Sequence, residues 1–169
     1  MEGCERAMTE GTYTAVRITH DSSRDFEDTR ARFDQRVPLF EGAASVQLVL
    51  EGASWPEVEA AVDARVGPTG LVALARLDQG ALLSLQGELL EATLYLVGNP
   101  IVAREVTHHE PAAALYAPFR VAIYRDATGV HIAYDQPSSV FASLGSSGID
   151  LIASELDDKI GCVAEASCR

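Results

Sequence analysis

The sequence predicts an α+β fold in which helices pack on one face of an antiparallel β-sheet. Three observations carry this expectation. Short apolar runs broken by turn residues recur from Leu71 onward, the texture of strands joined by tight connections. Other stretches repeat apolar residues four and seven apart, the spacing that puts side chains on one helical face. Finally, 47% hydrophobic against 22% charged residues over 169 positions is a globular composition, at a length that buries most of the unfolded surface around one core.

The elements follow in order. Tyr13, Ala15, Val16 and Ile18 form a β-rich segment that ends at His20 and meets the polar cluster Asp21, Ser22, Ser23, a first strand. Ser22 and Asp25 carry capping chemistry, after which Phe26, Phe33 and Val37 share one face until Pro38 stops a first helix. Ala44 to Leu50 reads as a second strand. Ser54-Trp55-Pro56-Glu57 opens a second helix, with serine as cap, proline in the first turn and acids at the positive end. Val58, Val62 and Val66 form its apolar stripe, and Gly67-Pro68 closes it.

Three strands are then expected at Leu71 to Leu77, Ala81 to Leu85 and Ala92 to Val97, separated by Asp78-Gln79-Gly80 and by Gln86-Gly87. Asn99-Pro100 starts a short helix through Ile101, Val102 and Val106 that ends near His108 and His109. Phe119 to Tyr124 and Val130 to Tyr134 pair as a hairpin across Asp126-Ala127-Thr128-Gly129. A last helix from Ser147 to Ile160 buries Ile149, Ile152, Leu156 and Ile160, and turns Asp150, Glu155, Asp157 and Asp158 to water. Without repeats or linkers, the chain reads as one domain over residues 12–162, with 1–11 and 163–169 as frayed tails.

The net charge of −12, with 17 acids against 7 bases from Glu41 on, repels phosphate backbones and anionic membranes. Lys159 is the single lysine and the arginines are scattered, so nucleic acid is not an expected partner. No window approaches the ~20 apolar residues of a membrane span. Met1 to Glu10 carries three glutamates and no apolar core, unlike a signal peptide; a cytoplasmic chain is expected. Cys4, Cys162 and Cys168 are an odd number without metal-site spacing, which argues against a disulfide framework and a metal centre. Cys162 and Cys168 can pair only if the tail is flexible. No glycine loop of phosphate-cradling type is present, and Ser138, Ser139, Ser146 and Ser147 lack the nucleophile elbow. No cofactor is expected.

Leu94-Tyr95-Leu96-Val97-Gly98-Asn99-Pro100, an alanine-rich helix, the Ala117-Pro118 step and Phe119-Arg120-Val121-Ala122-Ile123-Tyr124 follow one another. Asp126, Gly129 and Tyr134-Asp135-Gln136-Pro137 continue the pattern. Over about residues 92–160 the chain resembles the family of domain of unknown function 302. The resemblance implies an antiparallel sheet with helices on one face, similar to the TATA-binding protein, and pairing as a homodimer; it implies no activity. A fold shared with a DNA-binding protein is no warrant for DNA binding on an acidic surface.

Several residues are candidates for a site. Asn99, beside a glycine and before a proline, can present donor and acceptor at a sheet edge, although capping a helix is the simpler role. His108 and His109 are the adjacent imidazole pair, and Glu105 lies three and four residues before them, within reach on a helix. The helix dipole alone, however, favours histidines in a last turn. Tyr116, Arg120, Tyr124 and Tyr134 can lend polar tips to an apolar pocket. Alternation sets Arg120 and Tyr124 on the face opposite Phe119, Val121 and Ile123, toward solvent or a partner subunit. His20 and His131 have no second ligand nearby in sequence.

Three functions remain open. The first is a homodimeric small-molecule binding domain lined by Tyr95, Asn99, Arg104, His109 and Tyr134. The second is a cofactor-independent lyase or isomerase with His108 or His109 as base, Glu105 orienting it, and Asn99 or Arg104 stabilising an anion. The third is a structural or interaction role, which exposed apolar patches favour.

Overall fold

A computed structural model describes residues 10–40 and 42–169. Cys4 and residues 1–9 of the expected N-terminal tail lie outside the described residues. Five strands, β1 (Arg17–Ser22), β2 (Val72–Asp78), β3 (Ala92–Gly98), β4 (Phe119–Asp126) and β5 (Gly129–Asp135), form one antiparallel sheet in the order β1-β5-β4-β3-β2. The helices are α1 (Phe26–Arg36), α2 (Gly42–Leu50), α3 (Trp55–Asp63), α4 (Gln79–Leu83), α5 (Pro100–His109), α6 (Pro137–Phe141) and α7 (Asp150–Cys168).

Alternation sorts the sheet into two faces. Tyr95 and Val97 of β3, Val121 and Ile123 of β4, and Ile132 and Tyr134 of β5 are buried against Phe26 and Phe33 of α1 and Leu156, Ile160 and Val163 of α7. The alternate positions Leu94, Leu96, Ala122, Tyr124 and Ala133 are only half-buried. A smaller cluster of Phe40, Val62 and Val72, with Val58, Val66 and Ile101 against it, seats α3 beside α5. The valine stripe read from the sequence is therefore the packed face of α3.

Local signals explain most ends. Asp25 caps α1 by accepting from the Asp28 amide at 2.8 Å; Ser22, read as part of that cap, instead ends β1. Ser54 and Glu57 form the capping box of α3, satisfying two otherwise orphan donors. The β4–β5 hairpin turns where Asp126 accepts from the amide and hydroxyl of Thr128 at 2.7 and 2.6 Å, with Gly129 at φ 145°.

Three expectations are corrected. The segment expected as a strand over Ala44 to Leu50 lies in α2. Gly52, at φ 65°, stops that helix, and the Ala53 amide donates back to Leu48 at 2.9 Å, the work of a glycine just past a helix end. Ala81 to Leu85 is also helical, because Asp78 caps α4 through the Ala81 amide at 2.9 Å while β2 pairs directly with β3. Gly80 seats this turn, since a Cβ there would stand 2.1 Å from the Leu90 carbonyl. The tail expected to fray over 163–169 continues α7 to Cys168, with Val163, Ala164, Ser167 and Cys168 buried. The Ser23 amide and hydroxyl both donate to the Cys168 carbonyl at 3.0 Å, so the β1–α1 turn satisfies the end of α7.

Candidate functional site

Among the described residues, a cleft of about 670 Å³ lies at one end of the sheet, within the size range of small-molecule sites. Leu96 of β3, Phe119 of β4 and Phe141 of α6 contribute apolar walls, as do Val140 of α6 and Leu115 and Pro118 of the α5–β4 connection. Its polar groups are few: the phenols of Tyr13 and Tyr116, the Arg120 guanidinium and the Asp135 carboxylate. This is a mostly apolar lining with a small number of placed polar groups, the usual make-up of a ligand pocket.

Each wall is held by identifiable contacts. The Gln136 amide donates to the Val16 carbonyl at 2.8 Å and the Val16 amide to Ser139 Oγ at 2.9 Å, tying the segment that carries Tyr13 to α6. Asp157 of α7, read as solvent-facing, accepts from the Ser138 amide at 2.9 Å and from Gln136 Nε2 at 2.8 Å, and so fixes the start of α6. The Tyr116 ring sits edge-on between Tyr13 and Phe141, at 6.1 Å from each. Ser143 Oγ donates to the Tyr116 hydroxyl at 3.3 Å. The Tyr116 hydroxyl beside it raises the pKa of the Tyr13 phenol, which stays a neutral donor at physiological pH.

The charges of the cleft differ in their engagement. Arg17 donates to Asp135 at 2.9 Å. Among the described residues, Arg120 is the arginine with no ion pair, hydrogen bond or ring partner. The others pair with carboxylates, or, in the cases of Arg36, Arg65 and Arg104, with backbone carbonyls or aromatic rings. Arg120 and Asp135 also border a second, more open concavity of about 320 Å³ on the uncovered face of the sheet, beside Leu94, Ala122 and Tyr124.

Of the residues singled out in the sequence, Tyr116 and Arg120 line this cleft and Arg120, Tyr124 and Tyr134 border the second concavity, whereas Tyr95, Asn99, Arg104 and the His108–His109 pair lie outside the cleft. Tyr95 is fully buried and donates to Asp34 Oδ1 at 2.9 Å; burial, with Asp34 nearby, pushes its phenol far up. Asn99 caps α5 by accepting from the amides of Ile101 and Val102, and its Nδ2 donates to the Gly70 carbonyl at 2.8 Å. It borders a cavity of only about 20 Å³, room for a single water at most. Arg104 lies over the Trp55 ring at 4.7 Å. Tyr134 is buried beneath α7 near His20, 3.4 Å from its Nε2, and burial pushes its phenol up to about 12.

His108, His109 and Glu105 sit on the outer turns of α5. Both imidazoles are exposed, their rings 6.1 Å apart, and His109 packs against Gly148. Among the described residues no group of three His, Cys, Asp or Glu side chains is placed to hold a metal ion. Cys162 and Cys168 are unpaired, one exposed and the other buried on α7.

One constellation escaped the sequence reading. His131, 94% buried, lies between two acceptors, with Nδ1 at 2.8 Å from Asp21 Oδ1 and Nε2 at 3.1 Å from Asp126 Oδ1, and Thr128 Oγ1 at 3.0 Å from Nε2. Burial opposes its charge, yet the Asp126 and Asp21 carboxylates prevail and raise its pKa. Asp21 comes from β1, which pairs with β5 across 110 residues of chain, a partner that sequence proximity does not reveal.

The model of the domain of unknown function DUF302 matches residues 46–167. The chain belongs to the DUF302 family. This DUF302 chain is also similar in fold to the crystal structure of an uncharacterized conserved DUF302 protein from Bacillus stearothermophilus. The two share 15% identity at a TM-score of 0.64, covering 90% of this chain and 98% of that one. No curated protein matches it. Most of the cleft, from Leu96 to Phe141, falls inside the matched DUF302 region, whereas Tyr13 precedes it. No helix among the described residues is long and apolar enough to cross a membrane.

Proposed function

We propose that this DUF302 chain is a homodimeric small-molecule binding domain, and that the cleft between Tyr13, Tyr116 and Arg120 is its ligand site. The observation that carries this reading is the cleft itself, about 670 Å³ with apolar walls and few polar groups. A thermal-shift screen against a chemically diverse library tests it. At least one compound class raises the melting temperature of the wild type, and Ala114→Trp, which fills the cleft from an exposed position, abolishes that shift. A shift retained in Ala114→Trp rejects the cleft as the site.

Self-association is supported by exposed leucines. Leu82, Leu83, Leu85 and Leu89 are 55–84% exposed between β2 and β3, and Val46, Val49 and Leu50 of α2 are exposed at i, i+3 and i+4. Clustered apolar surface of this kind is a mark of interfaces. Light scattering distinguishes dimer from monomer, and Leu83→Glu with Leu85→Glu shifts the mass toward the monomer if this segment is the contact. A cytoplasmic location is part of the same proposal, in keeping with the unpaired thiols of Cys162 and Cys168.

A further inference from the structure

We infer that the ligand of this cleft is a monoanion with a flat apolar body, an aromatic monocarboxylate being the simplest case, bound through Arg120. The inference rests on the reading of the cleft as a ligand site and adds the chemistry of what fills it. In a chain of net charge −12, an arginine at a concavity without a carboxylate partner is the exception. Other arginines of the sheet show the contrast: Arg17 of β1 is bound to Asp135, and Arg125, at the far end of β4, to Glu91. A guanidinium presents a planar fork of donors that matches a carboxylate two-point, and it keeps its charge at every physiological pH.

The charge count of the site selects a single negative charge. Among the described residues, Asp135 is the one carboxylate lining the cleft, and Arg17 neutralises it at 2.9 Å. One free guanidinium then remains, balanced by one anionic group; a dianion would lack its second cation, and a cationic ligand would face an unopposed arginine. Tyr13 and Tyr116 add hydroxyl groups on the same lining. The opposite walls, Leu96, Phe119, Val140 and Phe141, offer nothing but apolar surface, so the remainder of the ligand is apolar. Tyr116 meets Tyr13 and Phe141 edge-on, at interplanar angles of 68° and 84°, a setting that favours a further ring against them.

The test is isothermal titration of naphthoate, naphthylmethanol and naphthylmethylamine, three probes of one shape that differ in charge. It uses the full chain as wild type, Arg120→Gln, Arg120→Lys and Ala114→Trp. Naphthoate binds best to the wild type, and Arg120→Gln weakens it by about tenfold or more, the usual cost of losing a charge-assisted contact. Arg120→Gln weakens naphthylmethanol by far less than naphthoate, and Arg120→Lys recovers part of the naphthoate affinity. Circular dichroism melts verify that each variant is folded. If naphthylmethanol binds as tightly as naphthoate and Ala114→Trp removes both, the anion inference is overturned while the cleft remains a ligand site. If no probe binds, or if binding is indifferent to Ala114→Trp, the inference and the reading beneath it both fail.

Discussion

Arg17 holds Asp135 across the β1–β5 pair at 2.9 Å, and this leaves the cleft with one uncompensated charge among its described lining, that of Arg120. The relationship sets the sign of the site. Arg17→Gln is expected to release the Asp135 carboxylate beside Arg120 and weaken anion binding. Because the Arg17 side chain is 69% exposed, the loss is modest, about two- to fivefold, measurable by titration of naphthoate.

Asn99 serves the backbone rather than a ligand. It caps α5 and ties it to Gly70 through Nδ2. Asn99→Ala is expected to lower stability by about 1–2 kcal/mol, in the range for a lost cap with a second hydrogen bond, and to leave binding in the cleft unchanged. Urea unfolding and a parallel titration check both halves.

The end of α7 is structural. Removing residues 163–169 strips Val163, Ala164 and Cys168 from the core and leaves the Ser22 and Ser23 donors without the Cys168 carbonyl. Burial of such side chains is worth about 1.5–3 kcal/mol for a valine alone, so the truncated chain is expected to lose more than about 3 kcal/mol. A frayed tail would cost almost nothing; denaturant unfolding separates the two.

His131 gives stability a pH dependence. Its folded pKa is raised by Asp126 and Asp21 against the cost of burial, while the unfolded value is near the ordinary ~6.5. The contribution is therefore complete below about 6.5 and disappears as pH rises through the raised folded value. The stability advantage of wild type over His131→Gln is expected to shrink as pH increases across that interval. Asp126, held low first by the Thr128 hydroxyl and amide and then by His131, stays ionised throughout. Urea titrations at a series of pH values read the difference directly.

What was legible in the sequence were features decided locally. The alternation that buries Tyr95 and Val97 while leaving Leu94 and Leu96 half-open marks β3, and Asn99-Pro100 and Ser54-x-x-Glu57 mark helix starts by their own hydrogen-bonding chemistry. Segments 44–50 and 81–85 were misread because a short apolar run carries no strand identity without a pairing partner, and β2 had already found β3. The end of α7 was misread because its partner, the Ser22–Ser23 turn, lies about 145 residues away.

The cleft shows the same limit. Alternation placed Arg120 on the uncovered face, yet the walls that give it meaning, Tyr13, Leu96, Tyr116 and Phe141, meet only through tertiary packing. Asn99 and the His108–His109 pair drew attention by residue type, and each is accounted for by the ends of α5.

The central claim, that this cleft holds a small molecule, is tested most directly by native mass spectrometry. Wild type and Ala114→Trp are incubated with the small-molecule extract of the host, desalted, and weighed before and after denaturation. The expected result is an added non-covalent mass on the wild type that denaturation releases and that Ala114→Trp does not carry. A bare wild type, or an added mass that Ala114→Trp retains in full, contradicts the account.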